Sequence, residues 1–287
     1  MSRKIIIDCD NAFSIKGCYI DDGLAIIYTL AQNDVELLGI TTTFGNNTLD
    51  VIYPNTIKFM KDIGHPEIQV YRGSEDSYEN NEAARFLVDM ANRFAGELCL
   101  IVLGSTTNLY HAWLLDKEFY NRIKAITLMG GITKPLIIHG MVINELNFSC
   151  NYKATLNVLE HGDEISIATG NTCLDAVFTR ERFEKLKEGN KFEKWLYENS
   201  LYWFCSGKHG FNHHGIYLWD VFATASLLNP DLFIKNEMEI SPDEESIKKG
   251  MLIGNGHKRK VTIPKVKDAH EYIEHVYKQF RIFGEKR

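Results

Sequence analysis

Four aspartates stand within one short stretch near the start of the chain. Asp8 and Asp10 flank Cys9, and the adjacent pair Asp21-Asp22 follows. Side chains alternate along a strand, so Asp8 and Asp10 fall on one face of the apolar run 4–10. Asp21-Asp22 open an apolar segment of helical period, and a helix N-terminus is where the backbone dipole favours negative charge. Anions gathered at one strand end repel one another unless a cation offsets them. An all-oxygen donor set selects Ca²⁺ or Mg²⁺ over zinc. The plainer account is that Asp21 and Asp22 only cap a helix while Asp8 holds a loop.

The elements that must position these groups read as alternating strands and helices. Apolar runs rich in Ile, Leu and Val at 4–10, 35–44, 68–71, 98–103, 125–129 and 164–169 fit strands buried on both faces. Helical periodicity occupies 22–31, 51–63, 82–94, 108–115 and 154–161. This alternation predicts parallel βαβ units in one α/β domain spanning residues 1–287, a doubly wound, mostly parallel sheet flanked by helices. After residue 176 the pattern becomes helical, at 180–187, 192–204, 218–228 and 269–283, with a polar loop or hairpin at 244–260. In such a sheet, ligands bind beyond the carboxyl ends of the strands. There the chain carries Asp8/Asp10, Gly45-Asn46, Gly104-Ser105-Thr106, Gly130-Gly131 and Gly170-Asn171. Small, acidic and amide residues at one end of five strands suit a polar ligand, although each alone is also ordinary turn chemistry.

Composition narrows the class. The chain has 287 residues, 45% hydrophobic and 24% charged, and its 32 basic and 38 acidic residues leave a net charge of −6. That balance gives no pull toward nucleic acid or an anionic membrane. The six cysteines show no CxxC or Cys/His ligand spacing, which argues against a zinc module. No apolar run is long enough to span a bilayer and no signal segment is visible, so the expected location is the cytoplasm.

With these residues in view, the chain resembles the inosine–uridine-preferring nucleoside hydrolases. Asp8-Cys9-Asp10 and Asp21-Asp22-Gly23 match the two halves of the family's D-x-D-P-G-x-D-D. Gly45-Asn46, then Leu103-Gly104-Ser105-Thr106-Thr107-Asn108, Leu128-Met129-Gly130-Gly131, Glu145-Leu146-Asn147-Phe148 and Trp219-Asp220 follow in the family's order. The resemblance implies Ca²⁺-dependent hydrolysis of the N-glycosidic bond of ribonucleosides. It implies Asp10, Asp22, Asp220 and the backbone carbonyl of Leu128 as Ca²⁺ ligands, with Asp10 also the general base. It implies that Asp21, Asn46, Glu145 and Asn147 hold the ribose hydroxyls, and that the protein is a homodimer or homotetramer. An oxocarbenium-like ribosyl cation suits a carboxylate-rich pocket.

The chain also departs from that pattern. Residues 11–20 stand where the family has three, an insertion read as either a lid or wall of the pocket or a passive bulge. His139 falls where the family has a sugar-binding Asn, and either replaces it or lies on the surface. Trp219 stands where many members carry a His that protonates the leaving base. An indole cannot supply that proton but can stack on a base, which leans toward purines; a Trp packed in the core is the plainer account. His209, His213 and His214, in a Gly-flanked run before Trp219, are candidates for the missing acid, or else a polar surface loop. Two other classes compete with the hydrolase. One is a D-x-D phosphatase using Mg²⁺, which leaves Asp21-Asp22 and Trp219-Asp220 unexplained. The other is a nucleoside or ribose binder without turnover.

Overall fold

The computed structural model describes residues 2–75, 77–205 and 215–287. Its first half alternates as the periodicity predicts: β1 (Arg3–Cys9), α1 (Asp21–Ala31), β2 (Val35–Thr42), α2 (Leu49–Asp62), β3 (Val70–Arg72), α3 (Glu82–Arg93), β4 (Leu98–Val102), α4 (Thr107–Leu115) and β5 (Ala125–Met129). A two-residue-per-strand hairpin, β6 (Ile137–Ile138) and β7 (Met141–Val142), then precedes α5 (Tyr152–His161) and β8 (Ile165–Ala168). The remainder comprises α6 (Arg180–Glu184), α7 (Lys191–Cys205), α8 (Trp219–Leu228), β9 (Phe233–Ile234), β10 (Glu237–Ile240), α9 (Glu244–Ile247), β11 (Arg259–Thr262), β12 (Lys265–Val266) and α10 (Ala269–Glu285).

Eight strands form one sheet in the order β10-β11-β8-β5-β4-β1-β2-β3. All pairings are parallel except that of β10 with β11 at one edge. β1 lies near the middle because it can afford no solvent on either face: Ile5, Ile6 and Ile7 are all fully buried. Helices cover both faces over two apolar layers. One layer gathers Ile5, Ile7, Leu24, Ile27, Phe222 and Tyr272, the other Ile6, Leu87, Leu100, Leu109, Ile126 and Leu159. The chain winds outward from β1 in one direction through β2 and β3 and in the other through β4 and β5. The reversal between β1 and β4 leaves a crevice at their carboxyl ends.

The C-terminal region is less purely helical than expected. β10 and β11 extend the sheet from six strands to eight, and β11 lies within the segment 244–260 and just beyond it, where a polar loop or hairpin was predicted. The reason is burial on one side only. Glu237, Glu239 and Lys260 face solvent, and only Ile240 and Val261 are buried. Four-residue strands with so few apolar positions carry almost no periodic signal.

A buried polar network ties α3 and α4 to the strand ends. Asn81 caps α3 by accepting the Ala84 N–H at 2.8 Å, and its amide donates to Asn108 Oδ1 at 2.9 Å. Asn108 in turn donates to Asp8 Oδ1 at 2.7 Å and to the Thr42 carbonyl at 3.0 Å. Replacing Asn81 removes a cap and leaves buried groups unpaired. Asn81→Ala is therefore expected to cost about 1–3 kcal/mol, measured by urea unfolding; a loss of only a few tenths would show the network to be dispensable.

Candidate active site

At the crevice between β1 and β4 a half-open pocket offers about 600 Å³ of space, part of it continuous with solvent. One end is acidic. Asp10 follows β1, Asp21 and Asp22 form the first turn of α1, and Asp220 lies in the first turn of α8. The two helices thus direct their amino ends at the same cluster, and both dipoles favour its charge. All four side chains are at most 4% exposed. The Asp10 N–H donates to Asp22 Oδ1 at 3.2 Å, and the Asp220 N–H to Asp21 Oδ2 at 3.3 Å. The carboxyl of Asp22 also lies within hydrogen-bonding reach of those of Asp10 and Asp220. Ligand oxygens of Asp21, Asp22 and Asp220 come within 4.8 Å of one another.

Burial raises the pKa of every carboxyl in the cluster. Burial pushes Asp10 and Asp21 up to about 6. Burial, with the charges of neighbouring aspartates added, holds Asp22 and Asp220 well above the carboxylate range. No Lys or Arg is among the described residues lining the pocket. Four desolvated carboxyls with no positive side chain among them form a donor set of hard oxygens that a divalent cation fits.

Glycines make room for Asp10. A Cβ on Gly45 would meet Asp10 Oδ2 at 2.5 Å, and one on Gly104 would meet Asp10 Oδ1 at 3.0 Å. The Asn46 backbone N–H donates to the same carboxylate. The glycines after β2 and β4 are thus spaces shaped by the aspartate after β1. Asp8 does not line the pocket. It is sealed against Thr41 Oγ1 (2.5 Å) and Asn108 Nδ2 (2.7 Å), and its carboxyl is pushed up to about 7 by burial.

The other expected site residues are distributed as follows. Glu145 lines the pocket while accepting the backbone N–H groups of Gly131 (3.1 Å), Phe148 (2.8 Å) and Ser149 (2.9 Å); burial raises its carboxyl above the usual range against the pull of these bonds. Asn147 donates to the carbonyls of Leu103 (2.8 Å) and Met129 (3.2 Å) and lines the pocket. Asn46 lines it too, but its side-chain amide is engaged with the backbone of Tyr19. Trp219 lines it and is 7% exposed. Leu128 has its side chain wholly in the core, and Met129 is the β5 residue whose side chain reaches the pocket. His139 sits at the tip of the β6–β7 hairpin with a φ of 49°, beside Gly140 at 79°; this two-residue turn keeps it exposed and away from the pocket. His209, His213 and His214 lie outside the described residues.

The pocket is also lined by apolar and aromatic side chains: Tyr19, Leu136, Ile143, Leu146 and Met129. None of these was singled out from sequence as a site residue. Tyr19 was the most discoverable, as an aromatic side chain two positions before Asp21. The arrangement pairs a carboxylate-rich end with an apolar wall, as a polar sugar carrying a flat ring requires.

The comparisons agree with that reading. The family model described as "Inosine-uridine preferring nucleoside hydrolase" matches residues 5–276. A rice (Oryza sativa subsp. japonica) protein named probable uridine nucleosidase 1 is 26% identical over 262 residues, covering 80% of this chain and 78% of its own. Among solved structures, a purine-preferring ribonucleoside hydrolase from Gardnerella vaginalis superposes with a TM-score of 0.84 at 21% identity, covering 99% and 100% of the two chains. A plant nucleoside hydrolase gives 0.84 at 20% identity, covering 98% and 99%. The chain belongs to the inosine–uridine-preferring nucleoside hydrolase family. It is a hydrolase acting on the N-glycosyl bonds of ribonucleosides. Among the described residues no helix is long and apolar enough to cross a membrane.

Two outcomes are expected from this geometry. The cluster binds protons more tightly folded than unfolded, since Asp10 and Asp21 rise from 3.8 to about 6. Cation-free protein therefore loses stability as pH rises from about 4 through 6 and beyond, where the unfolded chain ionises first. Thermal melts in chelator should show the midpoint falling across that range, and saturating Ca²⁺ should flatten the slope; an unchanged slope would show that no cation neutralises the cluster. Second, Gly104→Ala, whose Cβ would press on Thr43 Cγ2 (2.7 Å) and Asp10 Oδ1 (3.0 Å), should lower kcat at least tenfold with the fold retained by circular dichroism, because misplacement by about 1 Å within a site is costly. Full activity in that variant would show that Asp10 need not sit where it does.

Proposed function

We propose that the protein is a Ca²⁺-dependent ribonucleoside N-ribohydrolase releasing free base and ribose. One observation carries the reading: the buried carboxyls of Asp10 and Asp220 each reach that of Asp22 in a pocket also lined by apolar and aromatic side chains. Asp10, Asp22 and Asp220, with the Leu128 carbonyl, are the residues that would hold the cation. When bound, Ca²⁺ would orient the attacking water and lower its pKa. Asp10 takes the proton from that water as its oxygen attacks C1′ of the ribose. The C1′–N bond breaks, its electron pair leaves with the base, and the base nitrogen takes up a proton from solvent while Asp10 later returns its own to solvent. Asp21, Glu145 and Asn147 hold the sugar, with the Glu145 carboxylate itself fixed by the backbone N–H groups of Gly131, Phe148 and Ser149. Immobilising the sugar against the water contributes several kcal/mol to the barrier reduction. The surrounding carboxylates favour the positive charge that develops on the ring.

The pocket's two aromatic side chains, Trp219 and Tyr19, favour a purine leaving group, since a bicyclic base buries more area against them. The rice relative's name favours uridine as the second reading. The 287 residues act on this reading as one domain. Homodimers or homotetramers are supported by exposed apolar side chains on and beside the β6–β7 hairpin, with Ile137 54% and Val142 69% exposed. The thiols of Cys9, Cys18, Cys99, Cys150 and Cys173 are all free, which fits a reducing compartment such as the cytoplasm.

The test is a reducing-sugar assay on inosine, adenosine, guanosine, uridine and cytidine, with Ca²⁺, with EDTA, and with Asp10→Ala. Ribose release should vanish in EDTA, return on adding Ca²⁺, and fall about 10²–10⁴-fold in the variant, as loss of a general base does. A higher kcat/KM for inosine than uridine supports the purine reading, and the reverse order selects the second. Turnover that survives both EDTA and Asp10→Ala would overturn the mechanism.

A further inference from the structure

The segment between the two aspartate motifs, residues 11–20, is built into the fold. Phe13 is buried with its ring 5.0 Å from that of Phe59 and stacked on Trp195 at 5.7 Å, and it fills the space a Cβ on Gly23 would need. Asn55 of α2 donates to the carbonyls of Asn11 (3.0 Å) and Phe13 (3.2 Å). Tyr202 of α7 donates its hydroxyl to the Ile15 carbonyl at 3.2 Å. These anchors deliver Tyr19 to the pocket.

Asn46 then fastens Tyr19 directly. Its Oδ1 accepts the Tyr19 N–H at 3.0 Å and its Nδ2 donates to the Tyr19 carbonyl at 2.9 Å. Both polar atoms of the Asn46 side chain thereby bond one residue's backbone, an arrangement that reproduces a strand pairing with a side chain. The Asn46 backbone N–H remains on Asp10. The Tyr19 ring meets Trp203 edge-on at 4.7 Å and 66°, and Trp219 at 5.8 Å and 79°. Tyr19 and Trp219 both line the pocket beside the aspartates, their rings near right angles. A flat heteroaromatic ring laid on one of them presents its edge to the other, the two arrangements aromatic pairs prefer.

Resting on the nucleoside reading above, we propose that Tyr19 binds the base and sets base specificity, and that Asn46 is the positioning residue that holds it there rather than a ligand of the sugar. The chemical class recognised is a planar nitrogen heterocycle joined to the sugar.

The experiment measures KM and kcat for inosine and uridine, and inhibition constants for hypoxanthine, uracil and ribose, in the full-length protein and in Tyr19→Ala, Tyr19→Phe, Asn46→Ala and the Tyr19→Ala/Asn46→Ala double variant. In Tyr19→Ala, KM and the inhibition constant of the free base should rise about tenfold, kcat should change less than KM, and the ribose constant should stay within about twofold. Tyr19→Phe, which keeps the ring, should recover base affinity to within about threefold. Asn46→Ala keeps its backbone N–H on Asp10 and should reproduce Tyr19→Ala. The double variant should be no worse than either single one, because both act through one ring. Should Tyr19→Ala fail to fold by circular dichroism, Tyr19→Leu takes its place, and base affinity within twofold of the parent would overturn the aromatic role. Unchanged base constants in Tyr19→Ala overturn the assignment of Tyr19, and a rise in the ribose constant with Asn46→Ala overturns that of Asn46. If the parent protein releases no ribose from any nucleoside and binds none by tryptophan fluorescence, the function reading fails and this proposal falls with it. Parent activity alongside unchanged variants sinks the proposal alone.

Discussion

Desolvated negative charge organises this molecule. Asp10, Asp21, Asp22 and Asp220 are withdrawn from water at one point, and no other requirement of the fold is as demanding. Burial alone favours their protonated forms, so the cluster is stable in its ionised state only with compensation. The fold supplies part of it through the amino ends of α1 and α8, which are packed together and aimed at the same place. Backbone N–H groups supply more: that of Asn46 to Asp10, that of Asp220 to Asp21, and that of Asp10 to Asp22. A cation supplies the remainder, and the same charge that binds the cation suits a reaction that builds positive charge on a sugar.

Neighbouring features follow from this constraint. The glycines after β2 and β4 are small because Asp10 occupies the space their side chains would fill. Asp8 is kept out of the cluster by hydrogen bonds from Thr41 and Asn108, which lets β1 present one carboxylate to the pocket rather than two. The network from Asn81 through Asn108 to Asp8 then links the α3 cap to the floor of the site. Stability and function share these residues, so variants there are read best with both stability and kinetic measurements.

The aromatic wall answers a different requirement. On the proposed reading the acidic end recognises the sugar, which all ribonucleosides have in common. On that reading, discrimination among bases falls to the other lining side chains, which come from three separate places: Tyr19 from the segment before α1, Trp219 from the start of α8, and Leu136 and Ile143 from the hairpin region. Changes in that wall can alter base preference without disturbing the carboxylates.

Much of this was legible in the residues alone. The spacing of Asp8, Asp10, Asp21 and Asp22, the alternating apolar runs and the small residues after each strand determined an α/β sheet with an acidic site at its carboxyl edge, because period and charge are local properties. All six predicted strands and most helices fall within two residues of where periodicity put them. Tertiary structure alone decided the rest. It moved Asp8 out of the pocket, since two residues on one face of a strand can meet different neighbours. It gave β10 and β11 to the sheet, since short half-exposed strands gain their order from the partner beside them. It placed His139 on an exposed turn. It also spent the Asn46 amide on Tyr19, a pairing 27 residues apart in sequence that no local pattern encodes.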